Sequence, residues 1–237
     1  MIIKKYLHII LSIFLISTTH PQSYTPKNTK FAFDLHKVIV EPSKNRVINA
    51  LRTSNLLPEF NRNLPHNILK GLWHLPQLTF HAIKFLFDDG SGEQYYALVK
   101  EYGYDGLAQT ILDISNAQEP IVGTIQIMRT LKNLGYIIDI ASNIGTAFLE
   151  PLKKKYPDIF DLITNTFTVD YNNTPDIRKP NSAYYQKYLT TYGDGKKIIF
   201  VDDKEENVVA AQQAGMIGIV FKNPEQLRED LITMGIL

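Results

Sequence analysis

Residues 197–215 have the sequence KIIFVDDKEENVVAAQQAG, which carries the clearest indication of the fold class. It begins with an apolar, β-branched and aromatic run that ends abruptly in two carboxylates, Asp202 and Asp203. We expect a helix to follow, capped by Asn207, continuing to Ala214 and ended by Gly215. The pattern predicts a strand that leads into a helix, with an acidic pair at the turn between them.

Two earlier apolar runs also end in polar side chains. Residues 30–33 lead into Asp34, and residues 136–141 lead into Ser142. A later run, residues 217–221, carries no such polar tip. Near-continuous apolar runs of this length are typical of strands buried on both faces, as in a parallel sheet.

Helical segments separate these strands. Residues 120–134 place apolar side chains at helical spacing, and Gly135 supplies a stop. The alternation of strand and helix predicts an α/β fold with a doubly wound parallel sheet. Ligands of such sheets bind beyond the carboxyl ends of the strands, so we expect Asp34, Ser142 and the carboxylate pair to converge on one site.

The composition of the 237 residues bounds the function. Hydrophobic residues make up 44% of the chain, which is enough for one sizeable core or for a core with a smaller second domain. The net charge of +1 gives no overall field toward nucleic acid or an anionic membrane, so we expect neither as a partner. The absence of cysteine excludes disulfides, thiolate metal sites and a cysteine nucleophile.

A long insertion interrupts the strand and helix alternation. Residues 45–118 are rich in leucine and aromatic residues and show no clear strand alternation. Since a connection from strand to helix normally needs only a few residues, we interpret this segment as a small helical cap domain. The α/β core then comprises residues 30–44 and 119–237.

The N-terminal residues 1–19 have the order of a secretory signal peptide: basic, then apolar, then small and polar. The apolar residues 9–16 would rise about 12 Å as a helix, far short of a membrane span of about 30 Å. We therefore expect export to a periplasmic or secreted location, with residues 20–29 as a linker. The alternative is an N-terminal helix that stays on a cytoplasmic protein.

Four short polar segments follow one another in a fixed order. They read FDLHKV at 33–38, ASNIG at 141–145, RKP at 178–180 and FVDDKEENVVAA at 200–211. Together they resemble the motifs of the haloacid dehalogenase-like (HAD) hydrolase superfamily, in the branch whose cap is inserted after the first motif. The resemblance covers residues 30–44 and 120–222; the cap matches only in position and helical character. It implies a Rossmann-like core.

The resemblance also implies a mechanism. Family members attack phosphorus with an aspartate and pass through an aspartyl-phosphate. By position, Asp34 is the nucleophile, Ser142 and the backbone amide of Asn143 hold the phosphoryl oxygens, and Lys179 screens the charge between phosphate and nucleophile. The expected substrate is a small phosphorylated metabolite.

A divalent cation is the implied cofactor. Clustered carboxylates repel one another unless a hard cation lies among them, and oxygen ligands suit Mg²⁺. The implied ligands are Asp34, Asp203 and the backbone carbonyl of His36, with Asp202 as a direct or supporting ligand.

One residue departs from the family pattern. Where the phosphatases place a second aspartate as general acid and base, this chain has His36. An imidazole can protonate a leaving alcohol near neutral pH, so we expect a Mg²⁺-dependent phosphatase. The alternatives are another hydrolytic reaction or a catalytically impaired ligand-binding protein. Dehalogenating relatives also lack the second aspartate but need no metal, and the retained carboxylate pair argues against that route. In this architecture the cap and its closure over the site select the substrate.

Overall fold

The computed structural model of the protein describes residues 23–53, 92–171 and 173–237. The predicted signal peptide, the first part of the predicted linker and the middle of the predicted cap lie outside these residues. Export and the position of the linker therefore stay predictions. The described part of the chain contains no helix that is both long enough and apolar enough to cross a membrane.

The described residues form seven strands. They are β1 (Thr29–Phe33), β2 (Val40–Pro42), β3 (Gln118–Pro120), β4 (Ile137–Ala141), β5 (Asn165–Phe167), β6 (Lys197–Asp202) and β7 (Ile217–Val220). Five of them make a parallel sheet in the order β5-β4-β1-β6-β7, while β2 and β3 pair antiparallel. The first strand of the chain thus lies at the centre of the main sheet.

The described helices alternate with these strands. They are α1 (Lys44–Thr53), α2 (Gly92–Glu101), α3 (Asp105–Ser115), α4 (Val122–Asn133), α5 (Thr146–Lys155), α6 (Pro157–Phe160), α7 (Ser182–Tyr192), α8 (Glu205–Gln213) and α9 (Pro224–Thr233). The predicted doubly wound parallel α/β fold is confirmed. Helix α4 lies within the predicted 120–134, and all four predicted apolar runs match strands β1, β4, β6 and β7 to within one residue at each end.

Two apolar layers cover the sheet, one on each face. Phe31 and Phe33 of β1 join a cluster with Met128 of α4 and Leu231 of α9. Ala32, which points to the opposite face, joins a second cluster with three buried tyrosines of α7: Tyr184, Tyr185 and Tyr188. Because both faces are buried, every residue of β1 is shielded from solvent, which explains its unbroken apolar run.

The predicted cap of Asn207 on the following helix is wrong. Helix α8 begins at Glu205, and Lys204 is its N-cap residue. The backbone N–H of Lys204 donates to Asp202 Oδ1 at 2.9 Å, so the strand's own carboxylate organises the turn and the N-cap lies three residues earlier than predicted. Asn207 is buried within the helix instead, and its amide donates to the same oxygen at 2.9 Å.

The chain leaves and rejoins the core through the antiparallel pair of β2 and β3. Glu41 faces Glu119 in this pair, and Arg46 at the start of α1 contacts Glu119 Oε1 at 2.9 Å. Helices α1, α2 and α3 are the described part of the predicted cap, and residues 54–91 lie outside the described residues. The helical cap over residues 45–118 stays a proposal.

Candidate active site

Asp34 follows β1 directly, at the carboxyl edge of the central strand. Its backbone N–H donates to the carbonyl of Val201 at 2.8 Å, which continues the β1–β6 ladder one residue past the strand. Its Oδ1 accepts the N–H of Leu35 at 2.8 Å. The carboxyl group is buried and is held by the backbone of the strand and of its own turn.

Lys179 bridges two buried aspartates. Its Nζ lies 2.9 Å from Asp34 Oδ1 and 2.6 Å from Asp202 Oδ2. All three side chains are nearly inaccessible to solvent. One ammonium therefore faces two carboxylates in a low-dielectric environment, where an unbalanced charge is costly.

Burial raises the pKa of Asp34 to about 7. The Lys179 ammonium opposes this rise, the Asp202 carboxylate adds to it, and a hydrogen bond from the Ser142 side chain opposes it. Burial alone lowers the pKa of Lys179, but the two carboxylates outweigh it and raise that pKa above its ordinary value. Asp34 thus takes up or releases its proton near neutral pH, while Lys179 stays charged.

The loop after β4 fixes the position of Lys179. Asn143 Nδ2 donates to the Lys179 carbonyl at 3.0 Å, and Asn143 Oδ1 accepts the Lys179 N–H at 2.8 Å. The Tyr171 hydroxyl in turn donates to the Asn143 carbonyl at 2.7 Å. The Tyr184 hydroxyl lies between two carbonyl acceptors, Phe167 at 3.1 Å and Ser142 at 3.3 Å. Ser142 is buried beside Asp34, and Asn143 acts through the backbone of the lysine.

The two carboxylates at the end of β6, Asp202 and Asp203, differ in their surroundings. Asp202 is fully buried, and its oxygens accept from the Lys204 N–H, the Asn207 amide and the Lys179 ammonium. The Asp203 side chain is 17% exposed and lies 3.9 Å from the ammonium of Lys37. The Asp202 oxygens therefore accept hydrogen bonds from protein donors, whereas Asp203 is the more solvent-exposed carboxylate of the pair.

The cluster has the chemistry of a hard-cation site. One oxygen from each of Asp34, Asp202 and Asp203 lies within 4.8 Å of the others. Mg²⁺ prefers oxygen ligands and is commonly held by one or two carboxylates, so two of these three would suffice to hold it. The predicted convergence of these carboxylates is what the structure shows.

His36 lies in the turn after Asp34. It is partly exposed and forms an isolated bridge with Val40. Of the sequence-predicted site residues, Asp34, Lys179, Asp202 and Asp203 form one cluster. Ser142 adjoins it, and Asn143 supports it through the backbone of Lys179. His36 stands two residues after Asp34 in the chain.

Sequence reasoning missed three contributors to this site. Asn207 was assigned only to the helix cap, although its position five residues after Asp202, across a predicted helix start, could have indicated its contact with that carboxylate. The hydroxyls of Tyr171 and Tyr184 carried no comparable signal, because tyrosines at such positions are most often packing residues.

Several solved structures share this fold. A predicted HAD-like family hydrolase from Porphyromonas gingivalis matches 87% of this chain and 97% of its own, with a TM-score of 0.56 and 14% identity. A HAD family enzyme from Bacteroides thetaiotaomicron, solved with magnesium and inorganic phosphate, matches 83% of this chain and 95% of its own, with a TM-score of 0.53 and 17% identity. An L-2-haloacid dehalogenase from Xanthobacter autotrophicus matches 89% of this chain and 84% of its own, with a TM-score of 0.51 and 18% identity. At these identities the likeness concerns the fold.

Sequence comparisons add a curated relative and a family. A sesquiterpene phosphatase, astK, from Aspergillus oryzae is 29% identical over 128 residues, which are 53% of this chain and 63% of that protein. The chain thus spans somewhat less than two thirds of this curated relative. The model of one family matches residues 31–215, from the central strand through the helix after the carboxylate pair. That family is the haloacid dehalogenase-like hydrolases, and the chain belongs to it.

Proposed function

We propose that the protein is a Mg²⁺-dependent phosphatase that acts on a small phosphorylated metabolite through an aspartyl-phosphate on Asp34. The observation that carries the proposal is the geometry around this carboxylate. It is buried and contacts Lys179 at 2.9 Å. One of its oxygens lies within 4.8 Å of an oxygen from each of two further carboxylates. A nucleophile, a cation and a hard-metal ligand set are thus adjacent.

The cation would be held by Asp34 and Asp203, with the His36 carbonyl as a further ligand and Asp202 in support. Asp202 already accepts three hydrogen bonds from the protein, which favours a supporting role for it. When bound, Mg²⁺ supplies positive charge against the phosphoryl oxygens.

The residues of the chain account for the chemical steps. An oxygen of Asp34 attacks phosphorus, the bond from phosphorus to the ester oxygen breaks, and the leaving alcohol takes a proton. Water then attacks the phosphorus of the aspartyl-phosphate and releases inorganic phosphate and the Asp34 carboxylate. Lys179 neutralises charge beside Asp34 throughout, and Ser142 donates to a phosphoryl oxygen.

His36 is the proposed general acid. It stands two residues after Asp34 and is partly exposed, as a group must be if it protonates a leaving alcohol at the site entrance. The presence of His36 where the family's phosphatases have an aspartate also favours a second candidate: a HAD-fold protein that binds phosphorylated ligands with impaired turnover.

The substrate class draws on the curated relative. The similarity to a sesquiterpene phosphatase makes apolar, isoprenoid-like monophosphates a reasonable group to test beside sugar and amino-acid phosphates. The fold likeness to a dehalogenase adds haloacids as a comparison class.

Phosphate release from p-nitrophenyl phosphate and from these compounds, with and without Mg²⁺, tests the proposal. Asp34→Asn should lower turnover by about 10⁴-fold or more, and His36→Asn by about 10²-fold. Asp158→Asn, an exposed aspartate far along the chain, is the matched control.

Turnover that survives Asp34→Asn would contradict the nucleophile assignment. An inert wild type that gains turnover with His36→Asp would support the ligand-binding candidate instead.

A further inference from the structure

Lys37 lies beside the candidate metal site but has no part in the mechanism above. It stands three residues after Asp34, and its ammonium lies 3.9 Å from Asp203 Oδ2. Its side chain is 52% exposed, whereas that of Asp203 is 17% exposed. A largely exposed cation thus lies beside the more accessible carboxylate of the cluster.

The backbone at Lys37 is unusual for a lysine. Its φ is +58°, in the left-handed region that glycine adopts most readily. The turn is fixed around it, because the Lys37 N–H donates to the Val40 carbonyl at 2.6 Å, and the N–H groups of Ile39 and Val40 both donate to the Leu35 carbonyl at 3.0 Å. Residues held in such strained conformations cluster at functional sites, and Lys37 stands beside one.

The two lysines near the cluster serve different carboxylates. Lys179 is buried and contacts Asp34 and Asp202, at 2.9 and 2.6 Å. Lys37 approaches Asp203 from the solvent side. A divalent cation that takes Asp203 as a ligand must therefore displace the Lys37 ammonium or bind against its repulsion.

We propose that Lys37 competes with the divalent cation for Asp203 and so sets a weak, salt-dependent metal affinity. The inference rests on the metal site of the proposed function. Its consequence is that occupancy of the site follows the free Mg²⁺ concentration rather than staying saturated.

Isothermal titration with Mg²⁺ alone tests the proposal on the full chain. Lys37→Met keeps the length of the side chain and removes the charge, so it should bind Mg²⁺ about fivefold more tightly than wild type at low salt. The difference should shrink at higher ionic strength. Lys37→Arg keeps the charge and should stay within about twofold of wild type, and so should Lys154→Met, an exposed lysine on α5.

Comparing Lys37→Gly with Lys37→Met separates charge from backbone strain, because glycine removes both and methionine removes only the charge. If Lys37→Gly and Lys37→Met both tighten binding, the charge is responsible and the proposal stands. If only Lys37→Gly does so, the backbone is responsible and the proposal is overturned.

The result also separates this inference from the proposed function. Equal Mg²⁺ affinity in wild type and Lys37→Met overturns the competition but leaves the metal site intact. An absence of Mg²⁺ binding in wild type and in every variant overturns the metal site itself.

Discussion

Replacing Lys179 by methionine should destabilise the metal-free protein by about 3–5 kcal/mol. The lysine is buried and lies 2.9 Å from Asp34 and 2.6 Å from Asp202, so its removal leaves two carboxylates without their cation in a nearly dry environment. Protonation of Asp34 limits the cost, because its pKa is already raised to about 7 and rises further once the ammonium is gone. The loss should therefore be larger at pH 8.5 than at pH 6.

The chain offers a matched control in Lys30. This lysine is also fully buried, and its Nζ lies 2.6 Å from the buried Asp139 Oδ2. It lies at the start of β1, four residues or about 13 Å along the strand from Asp34. Lys30→Met should cost a similar 3–5 kcal/mol, for the same electrostatic reason.

Mg²⁺ distinguishes the two variants. A ligand that binds only the native state stabilises it by about 2.7 kcal/mol at a hundredfold excess over its Kd. Removing Lys179 takes a positive charge out of the metal site, so Mg²⁺ should stabilise Lys179→Met more than wild type. Lys30→Met should gain no more than wild type does.

Urea denaturation followed by circular dichroism, with and without Mg²⁺, measures both effects. A cost below about 1 kcal/mol for Lys179→Met would refute the electrostatic reasoning. Equal recovery of both variants with Mg²⁺ would refute the placement of the metal.

Three further outcomes follow from the structure. Without metal, the free energy of unfolding of wild type relative to Asp34→Asn should fall as pH rises from about 4 to about 7, because the folded state holds the Asp34 proton more tightly than the unfolded state; urea titrations across that range measure it. Gly218→Ala should cost about 1–3 kcal/mol, since its new Cβ would lie 2.5 Å from Val208 Cγ1, and thermal unfolding checks this. Asn207→Leu should lower stability by about 1–3 kcal/mol, because Asp202 Oδ1 loses its amide donor, and should weaken Mg²⁺ binding in calorimetry.

The sheet was predictable because its strands are buried on both faces. An unbroken apolar run such as residues 198–201 has no solvated face. It therefore lacks both the alternation of a half-exposed strand and the helical spacing of an amphipathic helix. Strand β5 was not predicted: it is three residues long and polar at its start. The buried Asp139 carboxylate accepts from the Asn165 N–H at 3.1 Å and from its amide at 2.9 Å, a tertiary contact that no local pattern reveals.

Some features of the candidate site were likewise predictable from the sequence, and others were not. Side chains that directly follow a strand, such as Asp34, were predictable, because parallel strands end at a common edge. The start of α8 was not, because the Asp202 carboxylate captures the Lys204 N–H and moves the helix boundary. The ion pair of Lys37 with Asp203 joins residues 166 positions apart and depends on a left-handed turn, so it too lies beyond local patterns.

A crystal structure of wild-type protein grown with Mg²⁺ and beryllium fluoride tests the convergence of these groups on one reaction centre, whether or not His36 supports turnover. We expect beryllium bonded to an oxygen of Asp34, with Lys179 and Ser142 on its fluorines and Mg²⁺ between Asp34 and Asp203. Beryllium fluoride bonded elsewhere, or Mg²⁺ held without either of these two carboxylates, would contradict the account.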